Sequence, residues 1–152
     1  SDQSIFAGDK EAPVIRGVKN NTATRNPVVV HISDNVCVKD VRINGKSYFV
    51  SDFQISKQGK FQIKAIDTNG NSSTVKFTID RWGPNIYGVK NKKVYRKKVK
   101  LSFFDNYGIK YIKVNGKKQK ARKKLVIRKK GKNTVIACDK AGNQSKVVFT
   151  IK

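Results

Sequence analysis

The sequence has no methionine, one histidine, one tryptophan and two cysteines among 152 residues. Each shortage excludes something. A chain without Met is expected to be a mature fragment of a longer protein. The lone His31 stands between Val30 and Ile32 on the outward side of an alternating run. It leaves little material for acid–base chemistry. Two cysteines are too few for a disulfide scaffold. Carboxylates are scarce, at 10 Asp+Glu against 34 Lys+Arg. There is no run of about 18 apolar residues, so no membrane-spanning helix is expected.

What is present is written twice. Asp67 to Ile79 reads D-T-N-G-N-S-S-T-V-K-F-T-I, and Asp139 to Ile151 reads D-K-A-G-N-Q-S-K-V-V-F-T-I. In both, a tight D-x-x-G-N turn precedes a strand of alternating apolar residues. The repeat extends upstream. Ala12-Pro13-Val14-Ile15 matches Gly83-Pro84-Asn85-Ile86, and Val28 to Ile32 matches Val99 to Phe103. Val38 to Ile43, stopped by Asn44-Gly45, matches Ile109 to Val114, stopped by Asn115-Gly116. Short strands are also expected around Phe53 and Ile55, and over Phe61 to Ala65. Their copies surround Leu125 and Ile127, and cover Asn133 to Ala137. Apolar residues fall at every second position, the period of a half-buried strand, and Asn-Gly after such a run signals a hairpin. Asn133 replaces Phe61 and removes an apolar core position. No window has helical periodicity. The two cysteines occupy non-equivalent positions, Cys37 matching Gly108 and Cys138 matching Ile66, so free thiols are expected.

About seven short strands in about 70 residues, twice over, point to an all-β chain of two tandem Greek-key β-sandwiches. The expected organisation is a frayed segment over 1–9, a first domain over 10–80 and a second over 81–152. The A-P-V-I opening, the D-N after the second strand, the N-G-K after the third and the D-x-x-G-N turn carry a likeness. They resemble the tandem immunoglobulin-like repeats of bacterial surface and secreted proteins. The resemblance covers residues 10–152 and implies an extracellular setting, at the cell surface or cell wall, with no chemistry of its own.

Charge separates the copies. Residues 1–80 carry 11 Lys+Arg and 8 Asp+Glu, while residues 81–152 carry 23 and 2. Asymmetry of this kind suggests an anionic partner for the second half. The candidate contacts are Lys92, Lys93, Lys117, Lys118, Lys120, Arg122, Lys129, Lys130 and Lys132. The first-to-second, third-to-fourth and fifth-to-sixth connections of such a sandwich gather at one pole, which would hold Lys92, Lys93, Lys117, Lys118, Lys129, Lys130 and Lys132. A solubilising lysine-rich surface explains the same pattern. Lys predominates over Arg, which favours diffuse attraction over sequence-specific reading of nucleic acid. The partner classes are an anionic wall polymer such as teichoic acid, a sulfated glycan or a host glycan.

Trp82, between the copies, is expected to pack between domains. Asp34, Asn35, Asp67, Asn69 and Asn71 in the first copy, and Asp105, Asn106, Asp139 and Asn143 with Asp80 in the second, could supply oxygens to Ca²⁺, and Asp80, Asp105 and Asp139 form a possible set. Asp and Asn in tight turns also bond their own backbone, and that structural reading is the one adopted, with no metal or cofactor. No nucleophile–base set or phosphate-cradling loop stands out, so a non-catalytic, monomeric fragment is expected. Its role is that of a stalk or spacer. The alternatives are a polyanion-tethering module and, third, a carbohydrate-specific adhesin using Trp82 and tyrosines.

Overall fold

The computed structural model describes residues 8–152. It divides into two compact units, one ending at Asp80 and one running Arg81–Lys152. Among the described residues every regular element is a strand, and no helix is long and apolar enough to cross a membrane.

The first unit has eight strands: β1 (Val14–Arg16), β2 (Thr22–Thr24), β3 (Val28–Ser33), β4 (Val38–Ile43), β5 (Lys46–Tyr48), β6 (Asp52–Ile55), β7 (Gly59–Asp67) and β8 (Ser72–Ile79). They form a three-stranded sheet, β1-β3-β6, and a five-stranded sheet, β2-β8-β7-β4-β5. The second unit repeats this with β9 (Asn85–Tyr87), β10 (Val94–Tyr95), β11 (Val99–Phe104), β12 (Ile109–Val114), β13 (Lys117–Lys120), β14 (Lys124–Ile127), β15 (Gly131–Asp139) and β16 (Gln144–Ile151). Its sheets are β14-β11-β9 and β10-β16-β15-β12-β13. In both units the chain crosses between sheets after the first, second, third, fifth and sixth strands. The first strand splits, so that its second half pairs in parallel with the last. These are immunoglobulin-like sandwiches.

Alternation explains the packing. Along β3 the side chains of Val28, Val30 and Ile32 are buried while Val29 and His31 are exposed. Val75, Phe77 and Ile79 of β8 face them from the other sheet, with Ile63 and Ala65 of β7 between. The second core is the same set moved along the chain: Val99, Leu101 and Phe103 opposite Val147, Phe149 and Ile151, with Val135 and Ala137 between. Inward apolar faces of two sheets meet in a single layer, as sandwich packing requires.

Four strands depart from expectation. β2 and β10 lie in polar stretches where the alternation predicts no strand, and β5 and β13 follow the Asn-Gly turns at which the predicted strands stop. The Asn-Gly pairs are two-residue hairpins, with φ of 50° and 83° at Asn44-Gly45 and again at Asn115-Gly116, the left-handed pair that such hairpins need. β5 and β13 are polar edge strands held by backbone pairing, so no apolar period marks them. The count is eight strands per unit rather than seven.

The split of the first strand depends on one residue in each unit. Gly17 has φ +98°, and a Cβ there would fall 1.8 Å from the carbonyl oxygen of Val29. Gly88 has φ +89°, with 2.1 Å to the carbonyl oxygen of Lys100. A side chain has no room where the strand crosses so close to its neighbour. Gly17→Ala or Gly88→Ala is therefore expected to destabilise its own unit by roughly 3 kcal/mol or more. Gly70→Ala, with φ +83° but open space around the added Cβ, is expected to cost about 1–2 kcal/mol from backbone strain alone. Urea unfolding of the three variants measures the contrast.

Candidate functional site

In the second unit, the residue that organises the basic pole is not basic. Asn133 stands two residues into β15 and has no accessible surface. Its Nδ2 donates to the carbonyl of Lys129 at 2.8 Å and to that of Gly131 at 3.3 Å. Its Oδ1 accepts from Asn115 Nδ2 at 2.9 Å. Asn115 is paired in turn with the backbone of Thr134 on both sides. The β12–β13 turn and the β14–β15 turn are thus tied through one buried amide. In the first unit Phe61 occupies the matching place and stacks on Phe77, with ring centres 5.5 Å apart. Asn133 is therefore not a gap in the core. A hydrogen-bonded peg replaces an apolar one, as a buried polar group must be if it is to be tolerated.

This peg ties the start of β13, where Lys117 and Lys118 stand, to the turn holding Lys129 and Lys130 and to the start of β15 with Lys132; the Lys118 ammonium leans away from that pole, over Tyr111. Gly131 pairs with Ile151, so the end of β16 and Lys152 lie at the same pole. Lys92 and Lys93 join from the β9–β10 turn. Lys92 N donates to the carbonyl of Val148, and Thr150 N donates to that of Lys93. All seven are exposed.

Lys120 and Arg122 do not belong with them. β13 runs away from the pole, and Lys120 pairs with Tyr111, which in turn pairs with Cys138 next to the buried Asp139. Arg122 lines a groove of about 540 Å³ with Phe103, Phe104, Asp105 and Ile109. Strand direction carries these two of the nine candidates away from the pole.

The tyrosines among the lysines have structural partners. Tyr95 meets buried Phe149 edge-on at 6.0 Å, and its hydroxyl accepts from Lys90 N at 2.8 Å. Tyr111 is overlaid by the Lys118 ammonium, 4.3 Å from the ring centre. Gln144 Nε2 donates to its hydroxyl at 3.2 Å. The neighbouring Cys138 thiol raises the phenol above its usual range, and the Gln144 hydrogen bond opposes it. Trp82 is 62% exposed. His31 is exposed and pairs with Asp52 across β3 and β6. Both thiols are free, Cys37 exposed and Cys138 buried.

The acidic candidates divide between the units. Asp80, at the end of the first, is buried and accepts from Gln58 Nε2 at 2.7 Å. In the second, Asp105 accepts from Tyr107 N at 3.1 Å. Asp139, fully buried, accepts from the backbone of Ala141 and Asn143 and from Asn143 Nδ2. Its counterpart Asp67 accepts the same three bonds from Asn69 and Asn71. Burial works to raise the Asp67 carboxyl, but the Asn71 and Asn69 donors outweigh it and hold it below its ordinary value. The turn-capping role read from the sequence is the one these residues perform. Asp9 was placed in the frayed segment, of which residues 1–7 lie outside the described residues. It accepts instead from Glu11 N and Asn35 Nδ2, and its carbonyl accepts from Asn71 Nδ2.

No family model matches the sequence, and no curated protein matches it. Among solved structures, murine CEACAM1b aligns over 92% of this chain and 98% of its own, at 11% identity and a TM-score of 0.44. The N-terminal eight Ig domains of Down Syndrome Cell Adhesion Molecule align over 93% of this chain and 26% of their own, at 14% identity and 0.35. SGBP-B of Bacteroides ovatus, solved with a mixed-linkage heptasaccharide, aligns over 91% of this chain at 12% identity and 0.30. This chain spans 44% of that protein's length. Likeness at this level adds nothing to the strand order, on which the immunoglobulin-like assignment rests.

The Asn133 peg is testable. Asn133→Ala is expected to destabilise the second unit by about 2–3 kcal/mol, because it orphans the Asn115 amide and two turn carbonyls. Asn115→Ala and Asn133→Ala together should cost less than their sum, since they remove a shared interaction. A double-mutant cycle by urea unfolding reads both.

Proposed function

We propose that the chain is a non-catalytic pair of immunoglobulin-like modules from a bacterial surface or secreted protein, serving as a spacer whose second module also holds to polyanions. The observation that carries the second part is the Asn133-pinned pole. Lys117, Lys129, Lys130, Lys132, Lys92 and Lys93 are exposed on the turns and strand ends that meet there. The second unit has only two carboxylates, and both cap turns elsewhere in it. Lysine ammonium groups are compact, hydrated point charges. They suit phosphate- or sulfate-bearing chains of irregular sequence, such as wall teichoic acid or a sulfated glycan. The non-catalytic reading is supported by the structural employment of the titratable groups. The carboxylates of Asp67 and Asp139 are held in turns, and His31 lies in an exposed cross-strand pair.

The test is titration of the whole chain against teichoic acid and heparin across salt. Binding should weaken tenfold or more between about 50 and 200 mM salt, as counterion release requires. Reversing Lys117, Lys118, Lys129 and Lys130 to Glu should abolish it. Reversing Lys120 and Arg122, an equal change per residue at the other end of the unit, should leave most of it. Absence of binding at low salt leaves the spacer role alone. Binding that survives high salt supports a carbohydrate-specific adhesin instead.

A further inference from the structure

Within the first unit, Asp9, Asp34 and Asp67 each place one carboxylate oxygen within 4.8 Å of the others'. These three residues share a division of labour. Asp34 Oδ2 accepts from Val36 N and Cys37 N at 3.0 Å each, which closes the β3–β4 turn. Asp9 Oδ1 accepts from Glu11 N at 3.0 Å and Asn35 Nδ2 at 3.1 Å. Asp67, fully buried, holds the β7–β8 turn. The turns therefore account for one oxygen of Asp9 and one of Asp34. They leave Asp9 Oδ2, Asp34 Oδ1 and the side-chain oxygen of Asn69 buried, with no accessible surface and no hydrogen-bond partner.

Turn chemistry explains the bonded oxygens and does not explain these. A buried acceptor without a donor is unfavourable, and two of these three sit on like-charged carboxylates that repel at this spacing. A cation removes both problems at once. The oxygens that meet there come from three carboxylates, with no nitrogen or sulfur among them. That set suits Ca²⁺, which accepts irregular oxygen cages, better than Zn²⁺ or a soft metal. We propose that the first unit binds a calcium ion through Asp9, Asp34 and Asp67. The ion would join the segment before β1 to the β3–β4 and β7–β8 turns.

Calorimetric titration of the EDTA-treated whole chain with CaCl₂ tests this. The wild type should take up Ca²⁺ with a dissociation constant of about 10⁻⁴–10⁻³ M, the range of extracellular modules, and melt at higher temperature when loaded. The Asp9→Asn, Asp34→Asn double variant should lose one equivalent. Asn keeps an oxygen for each turn, so this variant should show unchanged circular dichroism and melt no lower than the metal-free wild type. Asp80, Asp105 and Asp139 occupy the matching sequence positions of the second copy, with Ala141 in place of Asn69. The readout is therefore the equivalent lost, not the total. The proposal is overturned if the wild type neither binds nor shifts its melting at about 10 mM, roughly ten times the weakest constant in that range. It is equally overturned if the double variant binds as many equivalents as the wild type.

Discussion

A carboxylate with no exposed surface closes the central hairpin of each sandwich, and the rest of the unit is arranged around it. In D-x-x-G-N the Asp receives two backbone N–H groups of the turn and the side-chain amide of the Asn four residues on. A buried charge survives only when its lone pairs are met by donors, so the turn has one workable geometry. That geometry sets the register of β7 on β8 and of β15 on β16. A slip of one residue would turn every inward Val, Phe and Ile to solvent. The spacing of Val75, Phe77 and Ile79 behind Asp67 therefore acts as one device with the turn, and so does that of Val147, Phe149 and Ile151 behind Asp139.

Where this device is shared, the copies are interchangeable; where they differ, the differences sit at opposite places. The first unit keeps an aromatic stack, Phe61 on Phe77, at one pole and gathers Asp9, Asp34 and Asp67 at the other. The second unit replaces the stack with the Asn133 network and surrounds it with lysine. A polar peg suits that place. Its two amide protons satisfy the carbonyls of a turn, and the lysines on that turn need no apolar cover. The hydrophobic layer of each unit is unaffected, because the swapped position lies at the layer's rim.

The paired cores were legible in residue order because burial on one face leaves a period-2 trace, and because the trace occurs twice. Strands without such a trace were not legible. β2, β10, β5 and β13 are defined by backbone hydrogen bonds to a neighbour, and a polar edge strand has no side-chain pattern to show it. Asp9 was read as part of a loose end, since its partners Asn35 and Asn71 are 26 and 62 residues distant.

By itself, the sequence determined the all-β class, the duplication, the capped D-x-x-G-N turns and the one-sided charge, all of which are local or periodic properties. Tertiary structure alone decided which oxygens were left without donors. It also decided that Asn133 is a peg and not a defect. Those outcomes depend on groups far apart in the chain arriving at one point, and only the pairing of strands brings them there.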